Sequence, residues 1–119
     1  MHSVKYAYAP HVTAAQPTVQ IDNQQVRVTE WRFAPGAETG RHRHELDYIV
    51  VPLYDGTLRI DNVDGCVDVE LRRGASYNRP AGIEHNVVNP NSFEFAFVEI
   101  ELKLAGDQLT AGDVATDHR

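Results

Sequence analysis

Two histidine-bearing stretches decide the fold, and the longer one reads Gly74-Ala-Ser-Tyr-Asn-Arg-Pro80-Ala-Gly82-Ile-Glu-His85-Asn-Val-Val-Asn89. In it, His85 follows a Pro-x-Gly turn after two residues. The shorter stretch, Gly36-Ala-Glu-Thr-Gly-Arg-His42-Arg-His44, ends in two histidines separated by one residue. On a β-strand this spacing puts both imidazoles on the same face, because side chains alternate with a period of two. Three neutral imidazoles brought together from two strands form a transition-metal site.

Both stretches resemble sequence motifs of the cupin family. A glycine, five residues and His-x-His are similar to the start of the first cupin motif. A glycine, five residues, Pro-x-Gly, two residues, histidine, three residues and asparagine are similar to the whole of the second motif. The resemblance covers residues 31–101, and it implies that the protein is a small single-domain cupin.

The run from His42 to Leu53, His-Arg-His-Glu-Leu-Asp-Tyr-Ile-Val-Val-Pro-Leu, is similar to a narrower group. That group consists of small bacterial cupins, some of which are linked by name to β-alanine breakdown. The chain departs from the family in one respect. Tyr48 stands where cupins usually have a glutamate, four residues after the second histidine.

Short segments with strand character follow one another along the chain, with frequent turns between them. The longest are Val26 to Ala34, His42 to Leu53 and Phe93 to Leu104, and Asp64-Gly65 joins two alternating segments as a hairpin. We expect a bulge between Val28 and Trp31, where the apolar phase shifts. This pattern predicts an all-β sandwich or barrel, and the cupin resemblance implies the double-stranded β-helix, or jelly roll.

The length of 119 residues allows one domain with a real core and is too short for two. We expect a single cupin domain over 1–119, with an irregular N-terminal arm over 1–17, the cupin core over 31–101 and a loose C-terminal tail over 105–119. The family resemblance also implies a homodimer, in which edge strands and the N-terminal arm make the contacts.

The overall charge is negative, because seventeen acidic residues outnumber eleven basic ones and give a formal net charge of −6. No nucleic-acid or anionic-membrane partner is expected, since a surplus of basic side chains is missing. Cys66 is the only cysteine, which excludes an intramolecular disulfide, and we expect it to be a small buried filler. We see no signal-peptide pattern and no apolar run near the about 20 residues that span a bilayer, so the expected location is the cytoplasm.

His42, His44 and His85 are the expected metal ligands. Each neutral imidazole can give one ring nitrogen to a divalent transition metal (iron, manganese, nickel or zinc) at about 2.0–2.1 Å. Three such ligands leave positions open for water, substrate or dioxygen, as catalytic metals require. The alternative is a set of three histidines that only hydrogen-bond inside a barrel.

The possible fourth metal ligand is Asp47 or Tyr48. Tyr48 has the strand parity of the missing glutamate, and it could ligate the metal, donate a hydrogen bond to a bound species or simply pack. It is therefore also a candidate catalytic residue. Asp47 reaches the metal only if a bulge shifts the strand phase, and it could instead fix a histidine tautomer. Glu45 is expected to lie in solvent.

Arg79 is the second candidate catalytic or binding residue, because it shares a strand face with Tyr77 directly before the Pro-x-Gly turn. If that face lies inside the barrel, Arg79 pairs with the carboxylate of a small substrate. Otherwise it is a surface arginine. Glu99 and Glu101 interrupt an apolar run; one of them could be an interior carboxylate, although alternation on an outer face explains both.

Two functional hypotheses follow. In the first, the protein is a metal-dependent enzyme acting on a small organic acid or amine, by dioxygenase chemistry or by metal-assisted isomerisation or decarboxylation. In the second, it is a non-catalytic cupin that binds or senses a small ligand. Cupins do all of these, and a fold does not by itself decide between them. A third reading, a cupin that has lost its metal, is disfavoured by the intact histidines.

Overall fold

The computed structural model describes residues 12–103, which consist of strands and connecting loops. Nine strands follow one another in this range: β1 (Gln16–Asp22), β2 (Val26–Phe33), β3 (His42–Arg43), β4 (Asp47–Pro52), β5 (Gly56–Asn62), β6 (Gly65–Leu71), β7 (Tyr77–Arg79), β8 (Glu84–Val88) and β9 (Phe95–Leu102). They form a five-stranded antiparallel sheet, β1-β2-β9-β4-β7, and a four-stranded antiparallel sheet, β3-β8-β5-β6. The predicted all-β jelly roll is confirmed.

The core lies between the two sheets. Phe33 on β2 and Phe95 on β9 are paired across the five-stranded sheet and are fully buried at one end of the molecule. Leu58 and Val87 from the four-stranded sheet join the same apolar cluster. Because side chains alternate along each strand, the inward positions toward the other end of these strands face the same interior space. At that other end the space remains open as a cavity.

The structure describes only the end of the expected N-terminal arm and none of the expected C-terminal tail. Residues 1–11 and 104–119, which include most of the arm and all of the tail, lie outside the described residues. The end of the arm is hydrogen-bonded, because the Ala15 N–H donates to the Glu38 carbonyl at 2.8 Å and the Glu38 N–H donates to the Thr13 carbonyl at 3.0 Å. Between residues 12 and 103 no helix is long and apolar enough to cross a membrane. The homodimer stays a prediction.

The prediction of one strand from His42 to Leu53 is wrong, because the chain crosses between the two sheets inside that run. β3 ends at Arg43 in the four-stranded sheet, whereas β4 begins at Asp47 in the five-stranded sheet. The backbone of His44 remains hydrogen-bonded to the turn before β8: its N–H donates to the Ile83 carbonyl, and its carbonyl accepts from the Gly82 N–H, both at 2.8 Å. Since the strand is interrupted, the alternation of side chains along a strand does not predict on which side Tyr48 lies relative to the histidines.

The bulge expected between Val28 and Trp31 lies instead on the neighbouring strand. Val19 of β1 pairs with Thr29, and Ile21 pairs with Val28, so the extra residue belongs to β1. β2 pairs with β9 without interruption. The apolar phase shift in β2 arises because its inner face carries polar side chains at the cavity end of the strand.

The hairpin predicted at Asp64-Gly65 is confirmed, since β5 and β6 pair from Gly56 and Leu71 to the Asn62–Gly65 closing pair. The expectation that Cys66 is buried is wrong, because its side chain is exposed. The reason lies in the topology: β6 is an edge strand that pairs only with β5, so the part of β6 next to the hairpin tip lacks a covering neighbour.

Asn89, the last residue of the second motif, holds several loops together beneath the core. Its side chain is fully buried, and its Nδ2 donates to the carbonyls of Phe33 at 3.1 Å and Phe93 at 2.9 Å. Its Oδ1 accepts from the Asn91 N–H at 2.8 Å. The residue thus joins the end of β2 to the segment that leads into β9, and its role is structural.

We expect Asn89→Ala to lower the free energy of unfolding by about 2–4 kcal/mol, because several buried backbone groups lose their hydrogen-bond partner at once. Urea denaturation followed by circular dichroism measures this. Asn78→Ala, at an exposed position on β7, is the control and should stay within about 0.5 kcal/mol of the wild type. Equal effects of the two substitutions would contradict the role assigned to Asn89.

Candidate metal centre

Three histidines from the two motifs meet at the four-stranded sheet, with His44 one residue beyond the end of β3. His42 on β3 is the direct register partner of His85 on β8, and His44 follows two residues after His42. The Nε2 atoms of His42 and His44 lie 3.1 Å apart, and those of His44 and His85 are also 3.1 Å apart. The rings meet edge-on, at interplanar angles of 72° to 89°. The structure therefore brings all three predicted ligands to one point.

Burial keeps these imidazoles neutral at physiological pH. It lowers the pKa of His44 to about 4 and, together with the neighbouring His42, the pKa of His85 to about 3. Burial likewise lowers the pKa of His42. The Nδ1 of His42 lies 2.8 Å from the Gly40 carbonyl; since a carbonyl only accepts, Nδ1 carries the proton and the Nε2 lone pair of His42 points into the cluster.

A purely hydrogen-bonded trio does not satisfy this geometry. A neutral imidazole with its proton on Nε2 has a single donor there, yet the His44 Nε2 lies 3.1 Å from both neighbouring Nε2 atoms. A cation accepts all three lone pairs at once. At bonds of about 2.1 Å, ligands spaced in this way subtend about 95° at a shared ion, which suits adjacent positions of an octahedral first-row metal. The donor set therefore fits a divalent transition metal.

The histidines lie in the wall of an open cavity of about 1010 Å³ between the two sheets. This is at the upper end of the range for small-ligand sites. Much of the wall is apolar. Apart from the histidines, the polar side chains belong mainly to β2, β4, β7 and β9 of the five-stranded sheet. Apolar lining residues include Val50, Leu58, Ile60, Val87 and Phe97; polar ones include Arg27, Thr29, Tyr48, Tyr77, Arg79, Glu99 and Glu101.

Tyr48 lies inside the cavity and against the histidines. Its side chain is buried, and its ring stacks on that of His44, with centroids 3.9 Å apart and an interplanar angle of 19°. Burial, with a smaller contribution from the charge of Glu99, raises the pKa of Tyr48. The tyrosine therefore fixes the orientation of His44 by packing against its face.

Asp47, the other candidate for fourth ligand, lies outside the cavity. Its side chain is exposed, and its Oδ1 accepts a hydrogen bond from the Ala81 N–H at 2.8 Å. Asp47 thus holds the Pro-x-Gly turn that precedes His85, and it is not among the described carboxylates that approach the histidines. Glu45 is exposed, as expected.

Arg79 belongs to a row of side chains that crosses the five-stranded sheet at its open end. In register order the row is Arg27, Glu101, Tyr48 and Arg79. Arg27 approaches Glu101 to 3.4 Å, whereas the guanidinium of Arg79 lies over the Tyr77 ring, 5.8 Å from its centroid. Among residues 12–103 Arg79 forms no ion pair. Its charge therefore remains available at the cavity wall.

Glu99 is the site residue that our sequence reasoning left undecided. It is 9% exposed, and its Oε2 lies 3.9 Å from the His44 Nε2. Burial, and then the charge of Glu101, raises the pKa of Glu99 to about 7. The sequence held a usable signal: Glu99 and Glu101 continue the period-two face of Phe95 and Phe97, which is the core face of β9.

Comparison with known proteins agrees with the fold and the motifs. A sequence profile described as "Cupin domain" matches residues 29–102. The "Beta-alanine degradation protein BauB" of Pseudomonas aeruginosa is 60% identical over 89 residues, which cover 75% of this chain and 94% of that protein.

Solved structures give the same result. The crystal structure of a cupin domain from Bordetella pertussis Tohama I has a TM-score of 0.78 and is 56% identical, covering 81% of this chain and 100% of that chain. KdgF from Halomonas sp. is similar in fold alone, with a TM-score of 0.60 and 18% identity over 81% of this chain and 84% of that chain. The chain belongs to the cupin family and, within it, to the group of small cupins that includes BauB.

Proposed function

We propose that this protein is a metal-dependent enzyme that acts on a small metabolite carrying a carboxylate. The observation that carries the proposal is the convergence of three neutral histidines, with the His44 Nε2 3.1 Å from the Nε2 atoms of both others, in the wall of a cavity. The same wall includes the exposed Arg79, which has no ion pair among residues 12–103. A closed structural metal site has no need of such a cavity. A catalytic metal needs both open coordination positions and space for a substrate beside them.

His42, His44 and His85 would hold the metal, which we expect to be iron, manganese, nickel or zinc. When bound, such an ion supplies Lewis acidity toward a carbonyl and, if it is redox-active, access to dioxygen chemistry. The protein supplies the rest. The apolar wall formed by Leu58, Val87 and their neighbours limits the water around a bound ligand, and the packed ring of Tyr48 keeps His44 in its ligating orientation.

Arg79 would bind the substrate carboxylate. Its planar guanidinium matches a carboxylate with two parallel hydrogen bonds, and Tyr77 supports it from below. The substrate would then lie between Arg79 on the five-stranded sheet and the metal on the four-stranded sheet. The name of the Pseudomonas aeruginosa relative makes β-alanine and other three-carbon acids the first compounds to test.

Two reaction types remain within this proposal, an oxygenation and a metal-assisted isomerisation or decarboxylation. Oxygen consumption by the metal-loaded protein, measured over a panel of small amino, keto and thiol acids, distinguishes them, and mass spectrometry of the products identifies an oxygen-independent reaction. Saturable binding of a panel member with neither oxygen uptake nor a new product would contradict the enzyme and support the non-catalytic binding module.

We expect purified protein to take up about one metal ion per chain and His42→Ala to weaken its binding at least about tenfold, because one of three nitrogen ligands is lost. Metal analysis and chelator competition with iron, manganese, nickel and zinc measure both values. Asp47→Asn, which keeps an acceptor for the Ala81 N–H, should leave the affinity unchanged. A wild-type protein that binds none of the four metals would end the proposal.

Arg79→Gln should weaken binding of a carboxylate ligand by roughly 10- to 100-fold, the loss expected for a charge-assisted hydrogen-bonded pair. The ligand is the panel member that binds wild-type protein most tightly, and calorimetry gives its Kd. Arg59→Gln, which breaks an exposed ion pair with Asp68, is the matched control. The uncharged methyl ester of the ligand should bind weakly to the wild type and be insensitive to Arg79→Gln; an equal loss for acid and ester would refute the pairing.

A further inference from the structure

We infer that the cavity takes the zwitterion of an ω-amino acid of three or four carbons, with Glu99 binding the ammonium group while Arg79 binds the carboxylate. The inference rests on the proposed function for Arg79 and adds the second charge of the substrate. Glu99 belongs to β9 and Arg79 to β7, so both charged side chains line the cavity from the five-stranded sheet.

Glu99 is a cavity carboxylate that lacks a cation. Its side chain is 11% exposed, and it forms no ion pair with a lysine or arginine within residues 12–103. Its neighbour His44, 3.9 Å away, is kept neutral by burial, and the Trp31 side chain that hydrogen-bonds to it is uncharged. Glu99 does not group with His42 or His85, so it is not part of their metal site. A buried carboxylate of this kind is stabilised by a cationic hydrogen-bond donor, which the ammonium group of a ligand supplies.

The register of the sheet sets the distance between the two charges. Glu99 pairs with Val50, and Val50 pairs with Tyr77, so these three side chains form a row across β9, β4 and β7. The guanidinium of Arg79 reaches this row because it lies over the Tyr77 ring, 5.8 Å from its centroid. Two strand spacings separate the ends of the row by about 10 Å, and side chains that stand perpendicular to the sheet keep roughly that separation.

This separation fits a short amino acid whose charges are at its two ends. Charge-assisted hydrogen bonds of about 2.8 Å at both ends leave about 4 Å between the ammonium nitrogen and the carboxylate of the ligand. A chain of three or four carbons spans that distance, whereas a single carbon separates the two groups of glycine. The ligand would pass over the small side chain of Val50. In the parallel row the bulky Tyr48 stands between Glu101 and Arg79, and Glu101 already has Arg27, whose Nη1 is 3.4 Å from its Oε1.

Both charges act on the same part of the cavity wall. Burial raises the pKa of Tyr48, which the charge of Glu99 raises further and the charge of Arg79 lowers. The pKa of Tyr77 is also raised by burial, lowered by Arg79 and raised by Glu99. Because such effects decrease with distance, Glu99 and Arg79 both lie near these two phenols. A zwitterion therefore meets a complementary charge at each end, whereas a simple anion is attracted by Arg79 and repelled by Glu99.

The test is calorimetry with β-alanine and with propanoate, which has the same carbon chain and carboxylate but no ammonium group, on zinc-loaded and on metal-free protein. We expect the wild type to bind β-alanine at least about tenfold more tightly than propanoate or glycine. Glu99→Gln should weaken β-alanine binding by about 10- to 100-fold, the loss of a charge-assisted hydrogen-bonded pair, and change propanoate binding less than about threefold. Glu101→Gln removes a carboxylate from the same face of the same strand, and it should change the binding of both ligands less than about threefold.

The outcomes separate this inference from the proposed function. If the wild type binds β-alanine and propanoate equally well, or if Glu99→Gln weakens both equally, the ammonium site is refuted while the carboxylate site at Arg79 stands. If Arg79→Gln changes neither ligand while Glu99→Gln weakens β-alanine alone, the role of Arg79 is refuted and the ammonium site is supported. A wild type that takes up no metal refutes the proposed enzyme, and the metal-free titrations then decide the ammonium site.

Circular dichroism compares the folding of the variants. If Glu99→Gln does not fold, wild-type protein decides with N-acetyl-β-alanine, which keeps the carboxylate and the chain but carries no positive charge. Tighter binding of β-alanine than of both N-acetyl-β-alanine and propanoate supports the inference, and equal binding of the three overturns it.

Discussion

The backbone hydrogen bonds between His44 and the Gly82–Ile83 segment are the constraint on which the rest of the site depends. They form where the chain leaves the four-stranded sheet, and they lock the first motif onto the second. The register that continues from them places His42 directly opposite His85. With this pairing fixed, the three nitrogens converge, and Gly40 and Gly82, both with positive φ, form the turns beside them. Asp47 supports the arrangement from outside by holding the Ala81 N–H.

The site is strained in an electrostatic sense rather than in its backbone. Among residues 12–103 no residue other than glycine has a positive φ, and no peptide bond is cis. The conflict lies in imidazole nitrogens that face one another at 3.1 Å and in the buried Glu99 carboxylate, which lies 3.9 Å from the His44 Nε2. Such local disagreement with the rule that buried polar groups are satisfied is typical of functional sites. Binding of a cation removes it, so metal binding and stability are expected to be coupled in this protein.

The two sheets divide the chemistry between them. The four-stranded sheet carries the histidine nitrogens, whereas the inner face of the five-stranded sheet carries the oxygens and guanidinium groups of residues such as Glu99 and Arg79. Phe33 and Phe95, a register pair of the five-stranded sheet, are fully buried and fill the far end of the sandwich. In the proposed function, a ligand between the sheets would meet the metal on one side and the positive charge of Arg79 on the other.

The sequence by itself determined most of the strands and the three histidines, because period-two alternation, turn residues and motif spacing are local properties of the chain. The motifs also indicated the jelly roll, through their resemblance to the cupin family. It could not decide which carboxylate lies beside His44. Alternation assigns side chains to the two faces of one strand, but only sheet packing decides which face is interior and what lies opposite. Because the chain crosses between the sheets after His44, strand alternation does not relate the side-chain directions of Asp47 and Tyr48 to those of the histidines. Glu99 follows His44 by fifty-five residues in the chain, and the packing of one sheet on the other brings it to His44.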